Sequence, residues 1–128
     1  MTVELFEAVG PVVFRRSEPY NETYSVRVLP YPKIRTKFRE FMDIKRNYPN
    51  KPFGQSDTTF TANGNFIARV PGLKHAHITN DISIVYKVEG NEVFLYGFYT
   101  HDDLGTGSPA KINVQKAMAA RFANTQFN

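Results

Sequence analysis

Three histidines, His75, His77 and His101, are the only ones in the chain and fall within 27 residues of one another. Imidazole titrates near neutrality, so a close group of histidines suits giving and taking protons at physiological pH. His75 and His77 alternate across Ala76, and on a strand that spacing puts both side chains on one face. His101 follows Val93–Thr100, a run that reads as a strand. Asp81, four residues past His77, is placed to orient an imidazole or to stabilise its cation. Taken singly, each histidine reads as an ordinary strand-end residue; their grouping is what points to acid–base chemistry. His-x-His with Asp102 and Asp103 as oxygen donors is the competing metal-site reading, but no third histidine sits at ligand spacing. Gly105-Thr106-Gly107 lacks the lysine and the strand–loop–helix setting of a phosphate loop, and no nucleophile elbow exists for a Ser/His/Asp hydrolase. The chain has no cysteine, which excludes disulfides, thiolate zinc sites and cysteine nucleophiles and suits a reducing, cytoplasmic setting.

The elements that must position these groups are clearest in the second half. Leu73–Ile78, Ile82–Val88 and Val93–Thr100 read as three antiparallel strands, joined by turns at Thr79-Asn80-Asp81 and Glu89–Glu92. In the last strand both alternating faces are apolar: Val93, Leu95 and Tyr99 on one, Phe94, Tyr96 and Phe98 on the other. Such a strand is central and covered on both sides. Upstream, Tyr24–Leu29 alternates and reads as a strand stopped by Pro30. Pro32 then opens a helix over 32–46, with Ile34, Phe38, Phe41, Met42 and Lys45 at helical spacing. Residues 1–20 read as an extra N-terminal arm with a short strand at Val12–Phe14. Residues 49–65 and 102–109 read as loops, with room for a short strand at Thr58–Phe60. Asn113–Phe122 reads as a C-terminal helix. Strand, helix, three antiparallel strands and helix make an α+β domain with a sheet of about four strands.

The length of 128 residues predicts a single domain over 1–128, and 41% hydrophobic with 14% aromatic residues is enough for a packed core. The net charge of +4 is uneven. Residues 1–70 hold eleven Lys and Arg against seven Asp and Glu, whereas 71–128 are balanced at five each. The excess is densest where Lys33, Arg35, Lys37, Arg39, Lys45, Arg46 and Lys51 face only Glu40 and Asp43. That pattern fits a polyanion partner or, equally, a solvated helix face. The opening Met1–Glu7 is acidic without a long apolar run, so no leader or membrane partner is expected.

The run from Leu73 to Val88, followed by Gly97-Phe98-Tyr99-Thr100-His101, resembles the catalytic half of the YafQ-like branch of the RelE/ParE toxin superfamily. The shared features are Ala76-His77, three residues, Asp81 opening a strand that closes on Tyr86-Lys87, a turn, and a strand ending in Thr100-His101. About 30 residues match tightly and about 80 loosely, with Tyr24–Arg46 resembling the superfamily's opening. The family's further upstream histidine would fall near Gly64, so that role is either empty here or taken by His75. The family's second helix is expected to be replaced by the loop 49–65, and 105–128 stands as a C-terminal extension. The resemblance implies a RelE-like fold and a metal-independent mRNA endonuclease without a cofactor. Cleavage by the RNA's own 2′-hydroxyl would use His77, Asp81 and His101, with His75 as a further member. The expected partners are mRNA, the ribosome and an antitoxin protein. Lys74, Lys87, Arg69 and Lys51 are candidate phosphate contacts, and Tyr99 is a candidate for stacking on a base. A non-catalytic ParE-like inhibitor and an RNA- or ribosome-binding regulatory module remain the alternatives.

Overall fold

Five strands form one mixed sheet in the computed structural model, which describes residue 8 and residues 10–128. The residues Met1–Glu7, read above as carrying no leader, lie outside the described residues. The three strands expected from alternation are present: β3 (Lys74–His77), β4 (Ser83–Glu89) and β5 (Glu92–Tyr99), paired antiparallel. On one side β2 (Thr58–Thr59) pairs antiparallel with β3. On the other, β1 (Val13–Arg16) pairs parallel with β5. The sheet is therefore mixed and five-stranded, not antiparallel with about four strands. Parallel pairing demands a long crossover, because the chain must return to the end from which it started. The short strand expected at Val12–Phe14 is present as Val13–Arg16 and forms an edge of the sheet.

The crossover begins with two helices, α1 (Glu18–Arg27) and α2 (Pro32–Asn47). The first corrects the strand expected at Tyr24–Leu29. Ser17 caps it by accepting from the Tyr20 amide, and Pro19 occupies its first turn, a placement that helix starts favour. Its inward stripe is Tyr20, Tyr24 and Val28, spaced by four, while Val26, which completed the apparent alternation, is 67% exposed. With two helices in place, the loop 49–65 does not substitute for one. It contains β2, a short 3-10 turn at Ala62–Gly64, and the start of α3 (Asn65–Arg69).

Between Val85 and Tyr86 the β4–β5 register slips. Val85 faces Gly97 while Tyr86 faces Leu95, leaving Tyr96 as the extra residue of a bulge. Gly97 takes φ +140°, and a Cβ there would meet the Tyr99 ring at 2.8–3.0 Å. The bulge exchanges the two faces expected for this strand. Phe98 joins Val93 and Leu95 under α1 and α2, whereas Tyr99 joins Phe94 and Tyr96 on the opposite core. That second core is closed by Phe60, Phe66, Met118 and Phe122, from β2's exit, α3 and the expected C-terminal helix α5 (Ile112–Ala123). A further short helix, α4 (His101–Leu104), occupies the start of the segment read as loop. Among the described residues, no helix is long and apolar enough to cross a membrane.

Candidate active site

β3 presents His75 and His77 on one face because Ala76 between them is buried against the helix-packed core. His75 lies beside Phe60, ring centroids 4.7 Å apart, and 6.2 Å from His77. The His77 amide donates to Ser56 Oγ at 3.1 Å, which ties β3 to the preceding loop. The β3–β4 turn is organised by Thr79, whose hydroxyl accepts from the amides of Asp81 (3.2 Å) and Ile82 (2.9 Å). Asp81 stands in that turn, two residues before β4 begins, and projects toward the end of β5.

There the chain leaves the sheet into α4. Thr100 caps the helix reciprocally with Asp103, and His101 is its first residue. His101 is therefore set by a capped turn at the strand's end, not by the strand itself. Its ring stands perpendicular to that of His77, with centroids 5.4 Å apart. His101 Nδ1 lies 3.4 Å from Asp81 Oδ1, and the His101 amide donates to the same oxygen at 3.4 Å. The structure thus brings all four acid–base candidates together: His75, His77 and His101 in a row, with Asp81 against the last.

Burial holds the His77 imidazole below its ordinary pKa, and repulsion from His101 adds to this against the opposing charge of Asp81. Burial also holds His75 down, aided by His77 and His101 and opposed by Asp57. A neutral imidazole accepts a proton, so His77 is suited to the role of base near neutral pH. Among the described residues, no group of three or more His, Cys, Asp or Glu is arranged to hold a metal ion. A cavity of about 470 Å³ lies elsewhere, lined by Tyr99, Met118, Arg121 and Phe122, and includes none of the histidines. The three histidines are partly exposed and the Asp81 side chain is 65% exposed, so the row is reachable from solvent.

The expected phosphate contacts fare unevenly. Arg69 and Lys51 are exposed. Lys74 and Lys87 are partly buried, and Lys87 Nζ is engaged by Glu89 at 2.7 Å. Tyr99 is not available to a base: it is 8% exposed, packed on Phe122, with its hydroxyl donating to the Tyr96 carbonyl. Tyr86 is buried completely. The sequence alone pointed to no role for Ser56, Thr79 or Thr100, whose hydroxyls organise the loop, turn and cap around the histidines, nor for Asp57. The one available signal was Thr100-x-x-Asp103, which has capping-box spacing.

No protein-family model matches the chain, and no curated protein matches it. Solved structures do. The toxin of the E. coli DinJ-YafQ toxin-antitoxin complex superposes with a TM-score of 0.59 at 16% identity, over 74% of this chain and 98% of that chain. The chain shares the fold of that structure. A copper-bound mutant toxin from Helicobacter pylori gives a TM-score of 0.57 at 17% identity, over 73% and 98%. The YoeB dimer from Staphylococcus aureus gives 0.55 at 16%, over 72% and 99%. These toxin chains are matched almost end to end, while roughly a quarter of the present chain lies outside the match. At such identities the likeness is one of fold.

Proposed function

We propose that the protein, as a single domain of this type, is a metal-independent endoribonuclease that cleaves mRNA on the ribosome in the cytoplasm. It needs no cofactor and is restrained by an antitoxin protein. The observation that carries the reading is the perpendicular, partly exposed His77–His101 pair with Asp81 against His101. Neutral His77 removes the proton from the substrate's 2′-hydroxyl, whose oxygen attacks the adjacent phosphorus. His101, held by Asp81, protonates the departing 5′-oxygen. The products are a 2′,3′-cyclic phosphate and a 5′-hydroxyl. His75 lies one step further along the row, its ring 6.2 Å from that of His77, and serves as a further member of the acid–base set. Arg69 and Lys51 supply exposed cations for neighbouring phosphates, with Lys74 and Lys87 secondary. The toxin fold supports the reading, and so does the DinJ-YafQ neighbour, itself a toxin–antitoxin complex.

The test is cleavage of a translated mRNA and of the same RNA free in solution, with mapping of the new ends. One neighbour is a copper-bound toxin, so the free-RNA arm is run with and without chelator. Cyclic-phosphate ends that persist in chelator and vanish on 2′-deoxy substitution at the cut site are expected. Intact RNA in both arms, or activity restored only by added metal, would overturn the proposal.

A further inference from the structure

β5 loses its strand neighbour on one side part-way along. β1 pairs with it only as far as Arg16 opposite Leu95, and beyond that point α1 stands where a strand would. Side chains of the cap and helix take over the hydrogen bonding. Ser17 Oγ donates to the Leu95 carbonyl at 3.0 Å, the Phe98 amide donates to Thr23 Oγ1 at 3.0 Å, and Arg27 Nη1 donates to the Phe98 carbonyl at 2.9 Å.

Arg27 then reaches one step further and donates to Asp103 Oδ2 at 2.5 Å. The same carboxylate oxygen accepts from the Thr100 amide at 3.0 Å, while the Asp103 amide donates to Thr100 Oγ1 at 3.1 Å. His101 lies inside this closed box. We infer that Arg27 and Asp103 are positioning residues for His101, fixing from α1 the imidazole's place above Asp81. The inference rests on the reading of His101 as the proton donor.

A four-residue helix does not hold its own shape, because nucleation costs more than so few hydrogen bonds return. The His101 ring is located through its backbone and the 3.4 Å approach to Asp81. Leu104 ties the far end of this turn into the second core, and the Arg27–Asp103 bond is the side-chain link that ties its first residues to α1 and so bears on the ring. The Arg27–Asp103 pair is only about one-third exposed on either side, and Arg27 holds Phe98 and Asp103 together. Burial works against ionisation of Asp103, yet the Arg27 hydrogen bond and the Thr100 amide hold its carboxyl below the usual range. By contrast Arg15–Glu92, at 3.3 Å and more exposed, lies at the far end of β5 and reaches no histidine.

The experiment compares Arg27→Met, Arg27→Lys, Asp103→Asn and, as a control, Arg15→Met in the full chain. Two readouts are taken: kcat and KM for RNA cleavage, and the imidazole resonances and titration midpoint of His101 by NMR. Misplacement of a reacting group by about 1 Å costs on the order of a hundredfold. Arg27→Met and Asp103→Asn are expected to lower kcat by roughly ten- to a hundredfold at unchanged KM. They should also move the His101 resonances while leaving those of His75 in place. Arg27→Lys should recover part of kcat, and Arg15→Met should change neither readout. Unmoved His101 resonances in folded Arg27→Met, or an unchanged kcat, would overturn the inference. Should wild type cleave no RNA, the functional reading falls and the NMR arm still decides the positioning role. If Asp103→Asn unfolds, the two Arg27 variants decide it.

Discussion

Two pairs in this molecule set a basic side chain against a carboxylate for opposite ends. Lys45 and Asp57 meet at 2.8 Å with side chains 0% and 1% exposed. His101 and Asp81 approach to 3.4 Å with side chains 41% and 65% exposed. The first is saturated. Lys45 Nζ also donates to the Lys51 carbonyl and lies 5.4 and 5.0 Å from the Phe41 and Tyr86 ring centroids. Asp57 accepts from the Phe53 amide at 2.7 Å and from the Tyr86 hydroxyl. Every polar atom there has a partner, as a buried charge requires. The second pair keeps the far side of its imidazole open to His77 and to solvent. A closed pair fixes a loop; an open pair can exchange a proton with a substrate.

The comparison breaks most sharply under a crossed pair of substitutions. His101→Ala should lower RNA cleavage by on the order of a hundredfold to ten-thousandfold, while the denaturation midpoint in urea stays near wild type. Lys45→Met should do the reverse to the fold: it strands Asp57 without a cation, at a cost of about 3–5 kcal/mol. Adding Asp57→Asn to Lys45→Met should cost less than the two changes summed, since the groups act on one another. If His101→Ala destabilised the protein as much as Lys45→Met does, the open pair would be structural after all.

A gentler change sharpens the same contrast. Asp81→Asn keeps the shape and removes the charge of an exposed pair, whose worth is about 0.5–1 kcal/mol. We expect a roughly two- to fivefold loss of kcat, measured with no change in the unfolding midpoint. An unaltered kcat would show that Asp81 only terminates the turn organised by Thr79.

Much of this was legible from side-chain period. The alternation in β3 and β4 survives in the structure, and with it the shared face of His75 and His77. Asp81 and His101 were placed near them by two short turns, which leave little freedom for where a strand end can go. What escaped was whatever depends on contacts distant in sequence. Tyr24–Leu29 satisfies a strand's period of two and a helix's period of four over the same residues, and the decision came from the Ser17 cap upstream. Lys45 falls on the apolar stripe of α2, and charge alone suggested a solvent-facing polyanion contact. Only the fold brings Asp57 and the Lys51 carbonyl to it. Tyr99 was expected on the face opposite Phe98 and available to stack on a base. The bulge at Tyr96-Gly97 kept it opposite Phe98 but turned it into the α5 core, and no local pattern announces a bulge except the glycine.

The smallest effect expected concerns His75, which belongs to both regions: it sits in the histidine row yet feels the charge of Asp57. Burial, then repulsion from His77 and His101, holds its imidazole below the ordinary value. The unfolded chain therefore binds a proton at this position near pH 6.5, before the folded protein does. Stability contributed by keeping His75 neutral is complete above that pH. It is lost as pH falls from about 6.5 to the lower folded value, below which both states carry the proton and the slope ends. His75→Phe keeps a ring beside Phe60 and removes the titration. Thermal unfolding followed from pH 7.5 down to 5 should give a steeper decline for wild type than for His75→Phe, with the divergence confined below about 6.5. His77 is also held low and contributes a similar slope to both proteins, so it drops out of the difference. Parallel curves would mean that His75 is hydrated enough to titrate as a free imidazole. The row would then reduce to His77 and His101, with Asp57 wholly on the structural side of the divide.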